Sequence, residues 1–371
     1  MRRRRSERGR GGVRLLAAVC LLAVLGFGVA YFSLQATYQG FREPVIVDFP
    51  KGTSTAEMAA ELAHAGVIRS SWQFLMARAL RRGRRLQAGE YQFTRADTPM
   101  HVFDRIASGD VFYYELTVPE GSNMFDIAAS LGRFDFLRPG DFLEAARDPS
   151  LIKDLAPRAP TLEGYLFPST YRLTRTTTAH ELCQMMTDQF RKRWRQVQKP
   201  GDPAAVNDTV ALASLVEKET AVAAERPMVA SVYENRLRRG MPLDCDPTTI
   251  YAAELEQRYR GTIYRSDLNS TNAYNTYQHA GLPPGPIANP GMDALRAALD
   301  PAETDYLYFV AKPGGSGTHQ FSKTIEEHNR AVQKYRRANK EPAEVASPPA
   351  RVTHHKASKH RRREHERESS Q

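Results

Sequence analysis

From Leu15 to Leu34 no residue carries a charge, and Leu21, Leu22, Val24, Leu25 and Phe27 lie within this run. Twenty helical residues rise about 30 Å, the thickness of a bilayer's hydrocarbon, so a single transmembrane helix is expected over 15–34. A cleaved signal peptide would have a shorter apolar region, about 7–15 residues, ending at a small-residue exit. No A-x-A exit follows this run. Beyond it, VDFPKGTSTAEMAAEL (47–62) and LTVPEGSNMFDIAASL (116–131) match at an offset of 69 residues. Each reads as a strand, a Pro-x-Gly turn, a Ser/Thr/Asn cap and an amphipathic helix. Met58, Ala59 and Leu62 correspond to Ile127, Ala128 and Leu131 at helical spacing. Between the copies, helices are expected over 71–80 and 99–107 and a strand over 88–93.

The second half is mainly helical. GYLFPSTYRL (164–173) reads as a strand-rich connector. Leu182, Met186, Phe190 and Trp194 repeat every four residues and predict a helix over 178–197. Further helices are expected over 209–220 and from Pro227 to Gly240, the latter burying Val229, Val232, Tyr233 and Leu237. Residues 241–291 are rich in Pro, Gly and Asn, a long loop of the kind that carries function. YLYFVA (306–311) and THQFS (318–322) can pair as strands across GGSG, with a closing helix over 325–335. From about 339 onward Pro, Ala, Lys, Arg and His dominate, predicting a disordered basic tail over 339–371. The fold class is therefore α+β. The β-α-α-β order within 40–160 resembles the LysM type of glycan-binding module, the plainer reading being a duplicated scaffold. A mainly helical catalytic domain with a small β-element is expected over 161–338.

Charge changes the picture only at the ends. The chain of 371 residues has a formal net charge of +10. Residues 1–14 contribute seven Arg against one Glu, and residues 351–371 seven Lys or Arg against three Glu, so the tails carry the whole excess. Basic tails on a neutral body do not point to a nucleic-acid partner. All seven N-terminal arginines precede the apolar run, so residues 1–14 are expected in the cytoplasm against anionic lipid, and the body in the periplasm of an inner-membrane protein. Val19 is too bulky for lipoprotein processing at Cys20, which reads as membrane filler. Cys183 and Cys245 could pair in an oxidising compartment, but read more simply as buried small hydrophobes. No H-E-x-x-H cluster is visible and no metal is expected. His319 and His328 read as hydrogen-bonding or helix-surface residues, and His354, His355, His360 and His365 as part of a solvated tail.

The candidate chemistry lies in ALASLVEKET (211–220), where Glu217 and Glu219 sit two positions apart on an expected helix. They are then about 200° apart around its axis, so this helix cannot supply both carboxylates of a two-acid glycosidase. Glu217 shares a face with Ala213, Ser214, Thr220 and Ala221, small residues that leave room for a bulky substrate. Glu219 falls with Leu212, Leu215 and Val216, the packing stripe, where a buried carboxylate would pair with Arg226 or Arg236. A solvated surface glutamate is the bland reading of Glu217.

VEKETAVAAERPMVASVYENRLRRGMPL, DPTTIY and AYNTYQHAGLPPGPIANPG closely resemble the endolytic murein transglycosylases of the MltG/YceG-like family. The likeness includes LEGYLFPSTY (162–171), PEGSNMFDIA (119–128), FPKGTSTAEMAAELAHAGVIRS (49–70) and YLYFVAKPGGSGTHQFSKTIEEHN (306–329), covering about 40 to 335 in order. It implies a single-pass inner-membrane lyase that cleaves between N-acetylmuramic acid and N-acetylglucosamine without water, leaving 1,6-anhydromuramyl ends. The resemblance puts the catalytic glutamate on Glu217, with Glu219 structural, and requires no cofactor. It implies glycan strands as substrate and peptidoglycan synthases as partners. Asn275 and Thr276 would offer polar groups to a sugar, and Tyr274 and Tyr277 flat faces. Glu163 and Tyr165 fall in another family motif that would approach the same cleft, and Asp246 would hold the 241–251 loop. Asp244 and Cys245 depart from the common family pattern. Two rival readings remain, a non-catalytic wall-binding scaffold and a hydrolytic muramidase. A cytoplasmic metabolic enzyme conflicts with the arginine-flanked anchor.

Overall fold

The computed structural model describes residues 4–198 and 205–338. The expected disordered tail and its histidines lie outside the described residues, as do the side chains of 1–15. The architecture mixes helices with small sheets, each sheet being two-stranded. Two compact units form, one holding the chain up to Glu115 together with Arg172–Thr177, the other Leu116–Tyr171 and the chain from Thr178 onward.

The first unit starts with α1 (Arg4–Gln35), whose stretch Leu16–Gln35 is long and apolar enough to cross a membrane. Leu34, at its end, is buried in the unit's core. There follow β1 (Val45–Phe49), α2 (Thr55–His64), α3 (Ser71–Leu80), β2 (Gly89–Phe93) and α4 (Pro99–Ser108). β1 and β2 are antiparallel with Val47 opposite Tyr91, and alternation turns Val47, Phe49, Tyr91 and Phe93 inward. Met58, Ala59 and Leu62 of α2 and Phe74 and Ala77 of α3 close that core. The β-α-α-β order read from the pattern is thus present.

β3 (Tyr114–Thr117) leads out of this unit and pairs with β4 (Thr170–Leu173). The two sequence copies share their local structure. Ser54 caps α2 and Asn123 caps α5 (Met124–Leu131), each with a reciprocal bond from the third helical residue. They part in tertiary placement, because residues 116–131 belong to the second unit. Of the expected strand-rich connector only Thr170–Leu173 is a strand, whereas Tyr165 and Leu166 sit in turns with both side chains fully buried.

The second unit continues through α6 (Pro139–Arg147), α7 (Ala179–Trp194), α8 (Ala205–Glu219), α9 (Arg226–Arg238), α10 (Asp246–Leu255), α11 (Arg265–Leu268) and α12 (Met292–Leu299). The antiparallel pair β5 (Tyr308–Ala311) and β6 (His319–Ser322) and then α13 (Ile325–Ala338) complete it. α8 is the central helix, packed against α9, α10 and α12 and buried on every side from Val210 to Val216. That overturns the expectation of an open small-residue face. Ala213 and Ser214 are both 0% exposed, and the Ser214 hydroxyl accepts the Ile287 N–H at 3.1 Å. Nor is 241–291 one long loop, since α10 and α11 interrupt it. Gly164, with φ +86°, faces Pro286 so closely that a Cβ would lie 2.4 Å from its ring.

Candidate functional site

The last turn of α8 sends its two carboxylates into different surroundings. Arg226 Nη2 donates to Glu217 Oε1 at 2.8 Å and the Gly291 N–H to Oε2 at 2.9 Å. Only 5% of the Glu217 side chain and 8% of the Arg226 side chain are exposed, so this is a buried ion pair rather than a solvated glutamate. Arg226 therefore serves Glu217, not Glu219. Two loops close over the pair, joined where Gly121 N–H donates to Asn289 O and Asn289 N–H to Ser122 O, each at 2.9 Å. A Cβ at Gly291 would come within 2.0 Å of a Glu120 carboxylate oxygen, so a larger residue there would displace the exposed Glu120 side chain. Burial, then the negative charges of Glu120 and Asp293, raise the Glu217 carboxyl against the opposing Gly291 N–H and Arg226.

Glu219 meets no arginine at ion-pair distance. The Tyr233 hydroxyl donates to Glu219 Oε1 at 3.0 Å and Cys245 Sγ lies 3.2 Å from the same oxygen. The carboxyl lines a cavity of about 40 Å³ with Tyr233, Arg236, Leu243, Asp244, Asp246, Phe309 and His328. Arg236 also lines it, but its guanidinium donates to the carbonyls of Leu307, Pro242 and Leu243 and to Asp244 Oδ2 at 2.7 to 3.1 Å. Burial raises Glu219 above the ordinary range, opposed first by the Cys245 and Tyr233 hydrogen bonds and then by His319 and Arg236.

A second carboxyl shares this cavity. Burial pushes Asp246 up to about 6, with the Tyr277 hydroxyl bond opposing and the negative Glu219 adding to the rise. Tyr277 holds Asp246 Oδ1 at 2.7 Å. Asp244 reaches the wall through a left-handed backbone, φ +51°, unusual for a residue other than glycine. His328 is 8% exposed and its Nδ1 has no hydrogen-bond partner. His319 is held by Glu225, which accepts its backbone N–H at 2.9 Å and lies 2.8 Å from Nδ1.

The remaining residues expected at the cleft are enclosed by their own hydrogen bonds and packing. Asn275 is 0% exposed. Its amide nitrogen donates to the carbonyls of Asp267, Leu268 and Ser270, while Oδ1 accepts from Tyr277 N–H and the Thr249 hydroxyl. Thr276 is equally enclosed, bonded to Cys245 N–H and the Thr248 hydroxyl. Both side chains fold the loop and leave no polar group free for a sugar. Tyr165 is a core residue bonded to Asn207, and Tyr274 packs on Tyr251 with ring centres 5.1 Å apart. Glu163 is 1% exposed, accepts the Met124 N–H and the Asn289 amide at 2.9 Å each, and is pushed up to about 8 by burial. It braces the Asn289 loop rather than lining the Glu219 cavity. Tyr233 and Asn289 were not singled out as site residues, and nothing in their spacing marks them, whereas Arg226, considered as a partner for Glu219, pairs with Glu217. Cys183 and Cys245 are buried and unpaired. Among the described residues no group of three metal-binding side chains occurs.

Residues 47–334 match the model of the YceG-like family. The chain is similar to the endolytic murein transglycosylase of Bacillus subtilis strain 168, 32% identical over 321 residues, covering 81% of this chain and 88% of that protein. A Streptococcus pneumoniae protein of the same name is 29% identical over 356 residues, and the match spans 64% of its greater length. The crystal structure of a YceG-like protein from Listeria monocytogenes matches 78% of this chain and 99% of its own, with TM-score 0.50 and 30% identity.

Proposed function

Because the chain belongs to the YceG-like family, we propose that it is a membrane-anchored endolytic murein transglycosylase and that Glu219, rather than Glu217, is its acid/base. Relatives named endolytic murein transglycosylase, matched over most of this chain, support the activity. What carries the choice of residue is the cavity. Glu219 lines a small cavity and accepts from neutral hydrogen-bond donors, whereas Glu217 pairs with a guanidinium that favours its carboxylate.

One carboxyl suffices for the reaction. Protonated, Glu219 donates its proton to the oxygen between N-acetylmuramic acid and N-acetylglucosamine as the anomeric C–O bond breaks. As a carboxylate it then takes the proton of the muramyl C6 hydroxyl, whose oxygen bonds to the anomeric carbon and gives the 1,6-anhydro ring. The proton count closes and no water is consumed. A carboxyl raised by burial is suited to start as the acid near neutral pH. A cavity of about 40 Å³ admits a hydroxyl or one water but no sugar ring, so the strand would lie across its mouth.

Asp246 supports a second reading, hydrolysis, because a second carboxylate beside Glu219 could activate a water. The apolar stretch Leu16–Gln35 supports an anchor with the arginine-rich end in the cytoplasm and the chain after Gln35 outside it. The β1-α2-α3-β2 unit supports a LysM-like role in holding glycan. Peptidoglycan synthases would be natural partners.

Detergent-solubilised full-length protein incubated with uncrosslinked glycan strands tests the reading. Anhydromuramyl ends are expected, lost in Glu219→Gln and retained at reduced level in Glu217→Gln. Reducing ends would establish hydrolysis. Loss only in a folded Glu217→Gln would return the acid/base role to Glu217, and absence of cleavage by the unaltered protein would leave a wall-binding scaffold.

A further inference from the structure

A larger groove opens beyond the far end of α10. It measures about 880 Å³, within the range of small-ligand sites, and its lining includes Glu256, Gln257, Arg258, Arg260 and Asn269. Hydroxyls, two amides, a phenol, two guanidinium groups and the Glu256 carboxylate make it a polar site. The helix end beneath it is capped. Gln257 takes a left-handed φ of +56°, and the N–H groups of Glu256, Gln257 and Arg258 return to the carbonyls of Ala252, Glu254 and Ala253. The groove therefore presents side chains in place of bare carbonyls, and the helix end repels an anion less.

The two arginines differ. Arg258 is neutralised by Glu256 and Asp267. Arg260 stacks over the Tyr264 ring, its guanidinium carbon 3.8 Å from the ring centre, and has no carboxylate partner among the described residues. Contact with the ring restrains the guanidinium, and such a planar fork can take a carboxylate side-on. Arg258 Nη2 is itself buried without a hydrogen-bond partner.

Distance connects this groove to the proposed chemistry. α10 begins at Asp246, on the Glu219 cavity, and ends at Leu255, where the groove begins. Ten helical residues rise about 15 Å, so a strand crossing the cavity mouth can reach the groove with the substituents of a neighbouring sugar. We propose that the groove binds the carboxylate-bearing stem peptide of the glycan strand, with Arg260 as the residue that reads its charge. The inference rests on the transglycosylase reading and adds a requirement for peptide.

Full-length protein and its Arg260→Ala and Arg260→Lys variants are compared on strands bearing their peptides and on the same strands after amidase treatment. Amidase removes the peptides and leaves the lactyl carboxylates, so the two arms separate peptide charge from sugar-borne charge. Arg260 is exposed, and neither change is expected to unfold the chain. Arg260→Ala is expected to lower kcat/KM about tenfold on peptide-bearing strands, through KM, with Arg260→Lys intermediate and stripped strands unaffected. An equal loss on both substrates, or no loss on either, overturns the proposal. Inactivity of the unaltered protein on both would instead overturn the transglycosylase reading on which it rests.

Discussion

Glu217 and Arg226 form a buried ion pair at 2.8 Å at the end of the central helix, and the loops that cover it carry Gly121 and Gly291. Breaking a buried pair leaves an uncompensated charge, which costs about 3–5 kcal/mol. Glu217→Ala should therefore lower the thermal unfolding midpoint sharply, while Glu219→Gln should lower it much less and remove activity. A Glu217→Ala protein as stable as its parent would show that the pair does not hold the fold.

Tyr233 lowers Glu219 through a hydrogen bond, and Glu219 in turn raises Asp246 through its charge. The Tyr233 hydroxyl stabilises the carboxylate, so Tyr233→Phe should raise the Glu219 carboxyl further and move the alkaline limb of kcat/KM to higher pH. The charge of Glu219 raises Asp246, so Glu219→Gln should lower the Asp246 carboxyl from about 6, a shift that NMR titration reads. A pH–rate profile unmoved by Tyr233→Phe would remove Glu219 from the chemistry.

Glu163 links stability to pH. Burial raises its folded carboxyl to about 8, above an unfolded value of about 4.3, so between these limits the folded state binds more protons. Its contribution is full below about pH 4.3 and is lost as pH rises through 8. Glu163→Gln should flatten that slope while lowering stability throughout, because the Met124 N–H or the Asn289 amide then faces an NH₂ group. Unfolding midpoints measured from pH 5 to 9 test this, and an unchanged slope would refute it.

Asn275 separates loop folding from sugar binding. Its amide satisfies three backbone carbonyls, so Asn275→Ala should cost at least about 2 kcal/mol. Activity should fall in step with the folded fraction. A fully stable variant with raised KM would make Asn275 a substrate ligand after all.

Much of this was legible in the chain because it depends on neighbours in sequence. The apolar run, the Ser54 and Asn123 caps, the paired strands at 308–322 and the 200° between Glu217 and Glu219 follow from local spacing. What α8 packs against does not. Its small-residue face looked open, yet Ile287 and α12 close it, because packing is set by segments about 70 residues away. Likewise the resemblance pointed to Glu217, and the sequence could not reveal that Arg226 reaches that carboxylate while Tyr233 and Asp246 meet the other. Local periodicity determined the helices and their faces. Only the tertiary structure decided which charges and cavities each face meets, because those partners come from other segments of the chain.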